Sequence, residues 1–185
     1  MDNIYRKLRT DDTVVVMVDI QRTLSRIVVN SNETFLNWVK ILKGVRLLGV
    51  DLVAIEQYPK GLGPTIPELR KFINDDEIVE KIAFDAANEP KVIERLKSIN
   101  KKNVVVFGVE AHICVYQTAT SLQRLGYNVH VVVDAISSRK MVDHKTAVRK
   151  MESQGVHLTT TEMFMFEMID EATGEKFKEF TKIVK

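Results

Sequence analysis

The sequence predicts a single-domain, three-layer α/β/α fold over residues 1–185, built on a mostly parallel, roughly six-stranded sheet. Three observations predict it. Short apolar, β-branched runs alternate with longer segments of helical period, the pattern of a parallel sheet covered on both faces. Two of those runs, TVVVMVD and VVVFGV, are apolar at nearly every position, as strands buried on both sides must be. The joints LLGVDLV and RLGYNVHV both read as helix, glycine cap, strand. Together they describe a Rossmann-like domain with right-handed crossovers and no room for a second core.

The elements follow in order. The first strand is Thr13 to Asp19. A helix capped by Asn32 carries Phe35, Trp38, Val39, Leu42, Val45 and Leu48 at helical spacing and stops at Gly49. Leu52 to Ile55 forms the second strand. Gln57 to Pro67, with three prolines and two glycines, reads as a loop of tight turns. A short helix over Glu68 to Ile73 and a short strand over Ile78 to Lys81 come next. Pro90 opens a helix with Val92, Ile93 and Leu96 on one face. Val104 to Val109 is a strand, and a helix from about Ile113 to Leu125 ends at Gly126. Val129 to Val133 is a further strand, Asp143 caps the next helix, and Val156 to Thr159 is the last strand.

Composition narrows the function classes. Hydrophobic residues at 45% and charged residues at 28% describe a globular chain, not a disordered one. A net charge of +2, with Lys and Arg scattered, draws no basic stripe, so no nucleic-acid partner is expected. No apolar run nears the ~20 residues of a membrane span, and MDNIYRKLRTDD lacks the apolar core of a signal peptide. One cysteine forms no internal disulfide. The expected location is intracellular, cytoplasmic by default, with a mitochondrial address left open.

Ligands of parallel α/β sheets bind beyond the carboxyl ends of the strands. The side chains there are Asp19, Glu56, Lys81, Gly108 to Cys114, and Asp134. Cys114 falls in the first turn of a helix leaving a central strand. Free N–H groups and the positive helix end would lower its thiol pKa and favour a reactive thiolate. A lone cysteine is equally a small core residue, and position alone leaves both readings open. A phosphate-cradling Cys-x5-Arg loop fails, because Thr120 stands where arginine is needed. Asp19 is either a turn residue or a general base beside the thiol. Lys81 is either a solvated lysine or the cation that holds Asp19 in place. His112, His130, His144 and His157 are dispersed, so no metal site and no cofactor are expected, and His130 reads as structural.

Taken together, the chain resembles the isochorismatase-like cysteine hydrolases, which include nicotinamidases and related amidases. VVVMVDIQ is similar to the family's strand ending in Asp-x-Gln, EKIAF to its lysine segment, VVVFGVEAHICVYQTA to its nucleophile turn, and GYNVHVVVDAISSR to the strand that follows. The resemblance covers about residues 12 to 165. It implies a catalytic triad of Asp19, Lys81 and Cys114, a cis peptide between Val109 and Glu110, and an oxyanion hole from the N–H groups of Glu110 and Cys114. The loop EQYPKGLGPTIPEL is closest to the subgroup called isochorismatase domain-containing proteins. Gln57, Tyr58 and Pro59 stand where nicotinamidases carry metal ligands, and isochorismatase proper has no cysteine at the nucleophile position.

The implied activity is hydrolysis of a small-molecule amide through a thioester, with Gln21, Tyr58, Phe84 and Glu110 as candidates to line the pocket. The competing class is a silent member of the fold acting as an interaction partner. A homo-oligomer is expected, and the apolar stretch EMFMFEMI suits either a partner or the core.

Overall fold

A computed structural model describes residues 7–169 and 171–185. Residues 1–6, which begin the stretch read above for a leader, and residue 170 lie outside the described residues. Among the described residues six strands are formed: β1 (Thr13–Val18), β2 (Asp51–Gln57), β3 (Ile78–Lys81), β4 (Asn103–Val109), β5 (Asn128–Ser137) and β6 (His157–Thr159). They make one sheet in the order β3-β2-β1-β4-β5-β6, and every pair is parallel. β1 and β4 lie at the centre, and every residue of both is buried, which is why those runs have no polar face.

Side-chain alternation sends β1 into two cores. Val15 and Met17 face the layer formed by α1 (Ser31–Leu48), α7 (Thr161–Glu167) and α8 (Gly174–Val184). Val14, Val16 and Val18 face α4 (Pro90–Ile99), α5 (Tyr116–Arg124) and α6 (Met141–Ser153). Single turns α2 (Pro59–Leu62) and α3 (Pro67–Arg70) connect β2 to β3. Trp38 is wholly buried and donates from Nε1 to the Ala135 carbonyl at 2.8 Å, fixing α1 against β5.

Several local expectations are corrected. α1 begins at Ser31, with Asn30 at the cap in the left-handed region (φ 53°) and Asn32 inside the first turn. The chain is pinned just before it, where Val29 N–H donates to Ser138 O and Val29 O accepts from Ser137 Oγ. Lys140, not Asp143, holds the cap position of α6. The helix expected over Glu68 to Ile73 is the single turn Pro67–Arg70. The first turn of the Gln57 to Pro67 loop is helical.

The strand expected to stop at Val133 continues to Ser137, through an irregularity that shifts the β4–β5 register between Val106 and Gly108. Asp134 therefore sits within β5. Its Oδ1 accepts from the Thr161 N–H at 2.8 Å and from Thr161 Oγ1 at 3.0 Å, tying it to the start of α7. α8 was not anticipated. It buries Phe180 against α1, and that ring meets Phe166 edge-on at 4.9 Å.

Within EMFMFEMI, Phe164, Met165 and Met168 are core, while Met163 and Phe166 are exposed.

Candidate active site

Asp19 follows β1 with its backbone in the left-handed region (φ 52°), a conformation that Asp tolerates better than most residues. Its N–H donates to Ile55 O, which ties the turn to β2, and its carboxylate is fully buried. Lys81, the last residue of β3, is also buried and donates from Nζ to Asp19 Oδ2 at 2.8 Å. The other acceptor of Lys81 is Gln57 Oε1. Gln57 ends β2 in register with Lys81, and its Nε2 donates to Ile82 O at 2.7 Å. A buried lysine needs such acceptors, since desolvating an ammonium costs several kcal/mol unless its charge and donors are matched.

Gln21 supports this layer from behind. It is wholly buried, its Oε1 accepts from Gln57 N–H at 2.8 Å, and its Nε2 donates to Gln57 O at 2.9 Å and to Gly63 O. Its amide is thus spent on the backbone of β2 and the following loop. Tyr58 and Phe84 stand half-exposed beside exposed Ile82, where β2 and β3 end.

Cys114 lies one turn beyond β4, in a π-helical turn (Ala111–Val115) that precedes α5. Expected in the first turn of a regular helix, it sits instead in this wider turn, with Ile113 N–H and Val115 N–H both directed to Glu110 O. The Val109–Glu110 peptide is cis. Gly108 permits the close approach of β4 to β1 here. Its φ is 125°, and a Cβ would lie 2.1 Å from Val18 O, so only glycine fits. Glu110 is buried, and its Oε2 accepts from Arg139 N–H at 3.1 Å and Arg139 Nε at 3.0 Å. His112 is turned aside, its Nδ1 lying 2.9 Å from Ser138 Oγ.

The electrostatics overturn one expectation. The Cys114 thiol is pushed up to about 12, first by burial and then by the adjacent Asp19 carboxylate, with Lys81 opposing. The turn's N–H groups do not outweigh that desolvation, and the resting side chain is a neutral thiol. Asp19 is also raised, by burial before anything else, while Lys81 and Cys114 pull it down and buried Glu56 pushes it up. Asp19 Oδ1 is buried without a hydrogen-bond partner among the described residues, which leaves it for the thiol proton.

Of the sequence candidates, Asp19, Lys81 and Cys114 therefore come together, while Gln21 braces β2, and Tyr58, whose N–H donates to Lys81 O, and Phe84 present exposed side chains. Gln57 and Arg139 were missed as parts of the site. The register of Gln57 beside Lys81 was a usable signal, whereas nothing local in the sequence links Arg139 to Glu110. No three His, Cys, Asp or Glu side chains gather as metal ligands among the described residues.

A parallel six-stranded sheet flanked by helices, with an acid, a lysine and a thiol gathered at its carboxyl ends, defines a single-domain α/β protein. The isochorismatase domain model matches residues 13–163, and the chain belongs to that family.

It is 36% identical over 179 residues to isochorismatase domain-containing protein 2 of Xenopus laevis, covering 96% of this chain and 86% of that one. It is 37% identical over 151 residues to isochorismatase domain-containing protein 1 of Danio rerio, covering 79% of this chain and 51% of that protein. The matched region thus spans about half the length of the latter relative. Among solved structures, the MAR1 ribonuclease of Caenorhabditis elegans superposes with a TM-score of 0.90 at 33% identity, over 97% of this chain and 92% of that one. The Escherichia coli YcaC gene product, an octameric hydrolase of unknown specificity, shares the fold with a TM-score of 0.91 at 21% identity, over 97% and 89% of the two chains.

Proposed function

We propose that this isochorismatase-family chain is a cysteine-dependent hydrolase of small-molecule amides, using Asp19, Lys81 and Cys114. The observation that carries the reading is the buried Asp19–Lys81 pair, with an unpartnered carboxylate oxygen, beside a neutral thiol. A structural ion pair has no need of an orphaned oxygen, and a packing cysteine has no need of two buried charges.

The thiol is too weakly acidic to wait as a thiolate, so its proton moves to Asp19 as sulfur attacks the carbonyl carbon. The S–C bond forms, and the oxyanion is held by the N–H groups of Glu110 and Cys114. Collapse breaks the C–N bond, and Asp19 returns the proton to the leaving amine. Water, deprotonated by Asp19, then cleaves the thioester, releasing the acid and restoring the thiol. Lys81 keeps one positive charge against Asp19 throughout. Lys81 and Gln57 also fix which carboxylate oxygen is free.

The test is a screen of small amides with intact-mass detection of Cys114. An acyl adduct in the wild type that is absent in Cys114→Ala, with turnover lost, supports the reading. Unchanged turnover in Cys114→Ala on every accepted amide overturns it.

A second reading, a silent member of the fold serving as an interaction partner, draws on the depth of Cys114, which is only 6% exposed. It predicts no adduct with any amide. Homo-oligomerisation is part of either reading, in line with the octameric fold relative. An RNA substrate is disfavoured because a polynucleotide backbone would have to reach groups that are almost fully buried.

A further inference from the structure

A second concavity lies at the β6 edge of the sheet, and it shares no residue with the Asp19–Lys81–Cys114 group. It exists because β6 is short. Its last pairing is Thr159 with Val132, so Val133 and Asp134 of the longer β5 run on without a neighbour. α6 flanks one side of this gap and the start of α7 the other, leaving a wide-mouthed, solvent-open concavity of about 480 Å³. That is within the usual range for small-ligand pockets, roughly 300–1,000 Å³.

The chemistry of the walls is uneven. Val133, Val148, Leu158 and Met163 supply an apolar lining. Along α6, Lys145 and Arg149 stand one turn apart at its rim, and neither makes an ion pair among the described residues. His144, on the same face, has its Nδ1 buried and without a hydrogen-bond partner. Burial first, and Lys145 second, hold that imidazole below its ordinary value. The one carboxylate in the lining, Asp134, is drawn toward α7 by its two hydrogen bonds from Thr161.

We propose that the cavity between α6, β6 and α7 is a binding site for a small amphipathic monocarboxylate. Its apolar body lies on Val133, Val148, Leu158 and Met163, and its carboxylate lies between Lys145 and Arg149. Two unpaired cations beside an apolar hollow favour an anion with a hydrocarbon tail over a neutral or cationic one.

The experiment titrates the full chain with octanoate and with octylammonium, which have the same tail and opposite charge, by calorimetry and methyl NMR of the methionines. Octanoate is expected to bind saturably with a Kd below about 1 mM, and octylammonium at least about tenfold more weakly. The Met163 methyl should shift with octanoate. In Lys145→Glu/Arg149→Glu, whose changes are on the exposed rim and spare the core, octanoate should weaken at least about tenfold and the preference between the two probes should shrink or reverse. Val148→Trp should fill the cavity and abolish binding.

No saturable octanoate binding, equal binding of the two probes, or octanoate affinity unchanged in the charge-reversal variant would overturn the proposal. So would shifts confined to residues around Cys114. Catalysis is not the readout, so failure here leaves the reading of the thiol site standing.

Discussion

Replacing Lys81 with methionine keeps most of the length of the side chain and removes its charge. In the native protein Lys81 Nζ lies 2.8 Å from Asp19 Oδ2, with both side chains fully buried, and also donates to Gln57 Oε1. Deleting one partner of a buried ion pair costs about 3–5 kcal/mol, because the other charge is left without compensation. The protein can escape part of that cost by protonating Asp19. Burial already raises that carboxyl, and Lys81 is its strongest opposing influence, so the variant's Asp19 will be raised further. A group with a raised folded pKa binds more protons folded than unfolded, so stability falls as pH rises between the two values.

The Lys81→Met penalty should therefore be about 3–5 kcal/mol near pH 8 and distinctly smaller near pH 5. Urea unfolding of wild type and variant at several pH values measures this. Adding Asp19→Asn should recover part of the loss at pH 8, since no buried charge remains. A penalty below about 1 kcal/mol at pH 8, or one independent of pH, would refute the claim that Lys81 compensates a buried charge.

Three other outcomes follow from the same geometry. Alkylation of Cys114 by iodoacetamide should be slow at pH 7.5 and keep rising through pH 10 without a plateau, given a thiol pushed up to about 12; a plateau below about pH 8.5 would mean a preformed thiolate. His130 is held down from 6.5 to about 4, by burial first and then by His157. A depressed folded value means the unfolded chain takes the proton first, so stability present above pH 6.5 is lost as pH falls toward 4, by on the order of 3 kcal/mol, and chemical unfolding of His130→Leu should lack this component. Gly108→Ala should lose on the order of 3 kcal/mol or fail to accumulate as folded protein, because the new methyl meets Val18 O in a backbone region unsuited to alanine; a normal melting curve would contradict this.

The parallel sheet was legible because β1 and β4 bury both faces and so carry no alternation to confuse the pattern. Asp19, Lys81 and Cys114 stood out as strand-end candidates, but position alone left each with two readings, and only the resemblance to a known family grouped them; the fold brings Lys81 Nζ to 2.8 Å from Asp19 Oδ2. What escaped were features set by contacts distant in sequence. The extra length of β5 is tied down by Asn37 Nδ2 and Trp38 Nε1, which donate to Asp134 O and Ala135 O, and no residue within the strand announces that.

The thiol's direction was misjudged for a similar reason. Helix-end N–H groups are visible in sequence, whereas burial and the proximity of Asp19 are products of the fold. α8 was missed although Phe177, Phe180 and Ile183 recur at helical spacing, because its other positions are strongly charged.

The central seam of the sheet has a consequence for how the chain is made. Val14 of β1 pairs with Val104 of β4, and the strand between them in the order is none, so the middle of the sheet is closed by segments made far apart in time. At a ribosomal pace of ~5–20 residues per second, β1 emerges seconds before the strand that covers its second edge. During that interval a largely apolar strand with an open edge faces other nascent chains. The thiol arrives just behind β4 and meets its acid only once that edge has closed. Closure of that edge and the meeting of Cys114 with Asp19 are therefore one event.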